Sequence, residues 1–155
     1  FKEAGGRLEL GWNVDRRMQA RVGYVTTRRR SNVSTGPALL PEVDARDAGL
    51  SMRASFDSRD RASLATDGFA ALAEYYEVQD ALGADRDWRR AELGAHFALP
   101  LRRNVAWISA AAGSDLGSDV PIDRAFRLGG ARTLPAYSYD ELRTRAYWLA
   151  SASFM

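Results

Sequence analysis

The sequence has no cysteine, one histidine, His96, and one lysine, Lys2. Without cysteine there is no disulfide framework, thiolate metal site or cysteine nucleophile, and the chain suits cytoplasm or envelope equally. A lone histidine leaves no ligand cluster for a metal. No G-x-S-x-G occurs, so the strained elbow that presents a serine nucleophile is missing, and Ser51, Ser109 and Ser151 fall in strand patterns instead. No apolar run approaches the roughly 18 to 20 residues of a membrane-spanning helix, which excludes a helical membrane protein. Phe1 is neither an initiator methionine nor the start of a signal peptide, and the last strand pattern, Arg145 to Met155, runs to the final residue. The expectation is an excised piece of a longer protein.

What the chain does have is period two. Leu8, Leu10, Trp12 and Val14 alternate with Glu9, Gly11 and Asn13, and after the polar turn Asp15-Arg16-Arg17 the alternation resumes with Met18, Ala20, Val22 and Tyr24. Ala48, Leu50, Met52, Ala54 and Phe56 alternate with Gly49, Ser51, Arg53 and Ser55. Leu93, Ala95, Phe97 and Leu99 alternate with Glu92, Gly94, His96 and Ala98. Each strand therefore has a greasy face and a wet one.

Two architectures accept such strands. A soluble barrel or sandwich would turn Leu8, Leu10, Trp12, Met18 and Val22 inward, as a core or a site for a small apolar ligand. A transmembrane barrel would turn them to lipid and its polar face to a lumen. The Gly, Ser, Gln, Asn and Arg of the wet faces suit a crowded, hydrated lumen, and alanines suit lipid better than a tightly filled core. Loop lengths favour the same side. Asp15 to Arg17 and Pro100 to Asn104 are tight, whereas Ser31 to Asp47, Gln79 to Asp87 and Ser114 to Arg143 are long, as at the two rims of an outer-membrane barrel. Asp57 to Asp67 is longer than that rule predicts, and long ordered loops are commonly functional or internally packed.

Several residues carry a sharp and a plain reading. Gly129 and Gly130 permit positive φ and close approach, as a loop folding into a lumen requires, or they make an ordinary turn. Asp57, Arg59 and Asp60 are carboxylates around a base, which catalysis could use, but no histidine or nucleophile accompanies them; interlocking a turn is the plainer role. His96 reads as a lumen or solvent residue. Arg28-Arg29-Arg30 lacks interleaved aromatics to stack bases, so no nucleic acid is expected. The run suits anionic headgroups or lipopolysaccharide phosphates at a rim, or a solvated loop base. Trp12, Tyr24, Trp88, Trp107, Tyr147 and Trp148 are candidates for interfacial girdles or for core packing. No metal or other cofactor is expected.

Phe126-Arg127-Leu128-Gly129-Gly130, followed by Leu134, Tyr137 and Asp140-Glu141-Leu142, resembles the sixth surface loop of the bacterial surface antigen family of outer-membrane assembly and translocation barrels. Asp57-Ser58-Arg59-Asp60, with Gly68 after it, resembles that family's D-x-R-D hairpin motif, and the two occur in the family's order. Leu82 to Trp88, Leu99-Pro100-Leu101 and Asp115 to Pro121 look most like the barrel of patatin-like phospholipase autotransporters. In that branch a secreted lipid acyl hydrolase, a periplasmic adaptor and a sixteen-stranded barrel share one chain. The chain departs from the family at Ala65, where the hairpin motif has proline. It departs again at Pro135-Ala136-Tyr137, where the broad family has arginine and glycine before the aromatic, with Arg132 as the nearest substitute.

The resemblance implies an all-β antiparallel meander of seven or eight strands over residues 1–155, a fragment of a sixteen-stranded barrel with a lumen-type loop at about 114–143. It implies a bacterial outer-membrane translocator or anchor with no catalysis of its own, any hydrolase lying upstream of Phe1. The expected partners are outer-membrane lipid and lipopolysaccharide, an attached passenger domain, and further copies of the chain paired through open sheet edges.

Overall fold

The computed structural model describes residues 2–31, 43–130, 137–138 and 141–155. Its strands are β1 (Lys2–Asn13), β2 (Met18–Ser31), β3 (Val43–Asp57), β4 (Gly68–Val78), β5 (Trp88–Leu101), β6 (Asn104–Ser114), β7 (Phe126–Leu128), β8 (Leu142–Thr144) and β9 (Ala146–Phe154). Seven of them form one antiparallel sheet in the order β1-β2-β3-β4-β5-β6-β9, while β7 and β8 pair as a short ribbon. The fold is thus the expected all-β meander. Three of its strands, β4, β6 and β9, lack the clean alternation of the others because Ala70, Leu72, Trp107, Ala111 and Leu149 put apolar groups on the face that is polar elsewhere.

Register carries the alternation across the sheet. Trp12, Ala20, Ala54, Ala73, Leu93, Ala112 and Trp148 stand in one cross-strand row, so every strand contributes to a single apolar face. The next residues along, Gly11, Arg21, Arg53, Glu74, Glu92, Gly113 and Tyr147, form the matching row on the opposite face. A slip of one residue anywhere would exchange the two.

The apolar face is uncovered. Leu8 is 75% exposed, Leu10 67%, Trp12 54% and Trp148 80%. A soluble β-domain with Leu8, Leu10, Trp12, Met18 and Val22 inside is therefore not the arrangement the chain adopts. The small buried cluster lies near one end of the sheet, where Ala48, Val78, Ala84, Trp88 and Val120 meet.

Candidate functional site: two loops seated on the polar face

The connections fall on two rims. The turn after β1, the loop from Ser58 to Asp67 and the Arg102-Arg103 turn share one end of the sheet; the connections at 79–87 and 115–141 share the other. At the first rim Asp15 Oδ1 accepts from the backbone N–H groups of Arg17 (2.6 Å) and Met18 (2.7 Å), closing the β1–β2 turn.

The Ser58–Asp67 loop is held chiefly from within. Asp57 takes a forked pair from Arg59, Nε at 3.0 Å and Nη2 at 2.7 Å, and also accepts from the Arg59 backbone N–H. Asp60 accepts from the Thr66 hydroxyl (2.6 Å) and from the N–H groups of Thr66 and Asp67. The Thr66 hydroxyl, with those backbone donors, holds the Asp60 carboxyl down at about 2. Gly68, at φ 112°, closes the motif, because a Cβ there would lie 2.7 Å from Arg59 Cα. The loop then folds over the polar face, where Trp107 Nε1 donates to Ala65 O at 2.7 Å. Beneath it a recess of about 540 Å³ includes His96 and Ser109, with His96 Nδ1 2.9 Å from the Ser109 hydroxyl. His96 thus has a cross-strand partner that its sequence context does not reveal.

The second loop is held by distant residues. Asp115 and Arg145 pin its base, with Nε and Oδ2 2.5 Å apart; this bond, with the Gly117 N–H, holds the Asp115 carboxyl below the usual aspartate range. Further in, Arg124 Nε lies 2.9 Å from Asp47 on β3 and its Nη2 3.0 Å from Glu3 on β1. Asp47 also receives Arg29 of β2 at 2.8 Å and faces the Trp88 indole, while Arg29 pairs in addition with Asp123. Arg90 of β5 donates to Arg124 O and lies over the rings of Tyr76 and Phe126. Phe126 meets Tyr147 of β9 edge-on at 5.1 Å, and the Tyr147 hydroxyl bonds Glu92. Gly113 makes room for this stack, since a Cβ there would lie 2.6 Å from the Tyr147 ring and 2.8 Å from that of Phe126. One loop thereby touches the sheet from β1 to β9.

Of the residues singled out above, Phe126 is buried against the wall and Leu128 ends β7. Gly129 and Gly130 have φ of 132° and 93°, and a Cβ on Gly129 would lie 2.1 Å from Ser138 O. Gly130 N–H donates to Tyr137 O, and Tyr137 is exposed. Arg132 and Leu134 lie outside the described residues, as does Asp140.

Two expectations need correction. The arginine run at 28–30 does not act together: Arg28 and Arg30 share Asp44 on the apolar side of the sheet, while Arg29 is buried on the polar side, because neighbouring strand residues point oppositely. Trp88, Trp107 and Tyr147 also stand apart from any girdle on the apolar face. Parity places them on the polar face, where Asp47, Ala65 O and Glu92 satisfy their polar atoms. The apolar face instead has a ring ladder at the tight-turn rim, Phe56–Phe69–Phe97, with centroids 5.8 and 4.4 Å apart. Among the described residues no group of three or more His, Cys, Asp or Glu is placed to hold a metal.

Neither family models nor curated proteins give a match to the sequence. The structure does match a solved one: the crystal structure of BamA from Haemophilus ducreyi lacking POTRA domains 1–3, with a TM-score of 0.77 over 93% of this chain at 17% identity. The fold is that of a segment of a BamA barrel. The chain spans 31% of that protein's length, so the likeness is to a part of it. In this BamA-like wall the apolar face is the uncovered one, and both loops sit on the other.

Proposed function

We propose that this chain is part of the wall of a bacterial outer-membrane translocator barrel, of the surface-antigen kind and closest in character to the barrels of patatin-like autotransporters. Its work is anchoring and the export or display of an attached domain; it carries no catalysis, and any hydrolase belongs to a separate region. The observation that carries this reading is the pairing of a continuous uncovered apolar face with a polar face on which a long loop is clamped. The likeness of fold to BamA supports it. From Leu50 to Phe56 the apolar stretch is about 20 Å along the strand, which flanking aromatic and long basic side chains extend toward the band of an outer-membrane wall. The two shortest turns, after β1 and at Arg102-Arg103, share one rim, which supports reading that rim as the periplasmic one even though the Ser58–Asp67 loop stands there too. At the opposite rim the Arg28 and Arg30 pair faces the layer where lipopolysaccharide phosphates lie.

The chain has no native cysteine, so single labels are clean. Spin labels at Leu10→Cys and Leu50→Cys in lipid are expected to report oxygen, and those at Glu9→Cys and Arg53→Cys a water-soluble quencher. Leucine positions shielded from both reagents would overturn the reading. β1 and β9 are the edges of this sheet and carry unpaired ladder groups, so the isolated chain self-associates through them. A monodisperse monomer in light scattering would count against that association.

A further inference from the structure

We infer that the tight-turn rim is a docking surface for anionic phospholipid headgroups, built from Arg16 and Arg17 on one turn and Arg102 and Arg103 on another. All four side chains are exposed, and none makes a hydrogen bond or ion pair among the described residues. Among the described residues the exposed Asp67 carboxylate pairs with none of them. Asp15, Asp57 and Asp60 are each engaged inside their own turns. Six arginines, counting Arg59 and Arg61, stand at this rim against four aspartates. Met18 and Leu101, 42% and 49% exposed on the apolar face, immediately precede or follow the arginine pairs, and the Phe56–Phe69–Phe97 ladder lies between the two turns on that face. Aromatic rings at the end of an apolar band mark the depth of the headgroup layer, and guanidinium groups one or two residues beyond sit among phosphates. Arg102 holds φ 58°, a conformation that favours glycine, so charge occupies a place where turn geometry alone selects a small residue.

The inference rests on the proposed membrane placement, and the test separates the two. The full chain is reconstituted in phosphatidylcholine vesicles with either spin-labelled phosphatidylglycerol or spin-labelled phosphatidylcholine, and the motionally restricted fraction of each label is measured. Unmodified protein is expected to prefer the anionic label on the order of fivefold, about the effect of one basic side chain near an anionic surface. High salt should erase the preference, since screening shortens the reach of exposed charge to about 3 Å at molar ionic strength. The R16Q/R17Q/R102G/R103Q variant, with glycine where the backbone already accepts it, should lose the preference, and R28Q/R30Q at the other rim should keep it. Equal restriction of both labels by unmodified protein, or a preference that survives the quadruple change, overturns the inference while leaving the membrane placement intact; an acidic protein surface is then the occupant to seek. Restriction of neither label removes both.

Discussion

The two loops on the polar face reach the same result by opposite means. The Ser58–Asp67 loop is tied mostly by residues two to seven positions apart, Asp57 to Arg59 and Asp60 to Thr66 and Asp67. The loop after β6 is tied by residues far apart in the chain: Arg124 reaches Glu3 across 121 positions and Asp47 across 77. Locally closed loops keep much of their shape when the sheet around them loosens. A loop whose anchors sit on β1, β2, β3, β5 and β9 has its shape only while those strands are paired.

That contrast breaks most sharply at Asp47. Asp47→Ala leaves Arg29, 3% exposed at its side chain, and Arg124 without their shared carboxylate. A loss of about 3 kcal/mol is expected, read as a lowered urea midpoint in detergent, with new tryptic cleavage at Arg124 and Arg127 but none at Arg59 or Arg61. Gly68→Ala should act on the other loop alone. The positive φ and the approach to Arg59 make about 2 kcal/mol the expected cost, with cleavage at Arg59 and Arg61 rising and Arg124 staying protected. A double-mutant cycle of Glu3→Gln and Arg124→Gln should give a coupling below about 1 kcal/mol, because the Glu3 side chain is 42% exposed and water screens the pair. The smallest effect is one of pH. The Asp60 carboxyl lies near 2 in the folded loop against an ordinary 3.8, so its contribution is complete above 3.8 and lost as pH falls through about 2. Amide exchange at Thr66 and Asp67 should therefore quicken over that interval, and Asp60→Asn should remove the pH dependence.

Legibility in the sequence follows the same division. The hairpin motif could be read because its partners lie within a few residues of one another, and Asp57, Arg59, Asp60 and Gly68 meet as neighbours. The anchors Asp47, Arg29, Glu3, Arg90 and Glu92 could not be read as parts of the second loop's site. Nothing in the residues around Arg124 says which of twenty carboxylates it will meet. Gly113 looks like any strand glycine until Phe126 and Tyr147 are seen to need its space. Trp107 and Tyr147 were legible as aromatics but not as polar-face residues, since β6 and β9 do not declare a face by composition, and Trp88 stands at the start of β5, outside the alternation that runs from Glu92 to Leu99.

The sequence by itself determined the strand period, the greasy and wet sides of β1, β2, β3 and β5, and the turn chemistry at Asp15 and Asp57–Gly68. These depend on backbone geometry that repeats every two residues and on bonds between near neighbours. Only the tertiary structure decided that the apolar side stays uncovered and that Arg29 parts company with Arg28 and Arg30. It alone seated a loop from late in the chain against β1, β3, β5 and β9. Those outcomes rest on strand register and long-range charge pairing, which exist only once the sheet has formed.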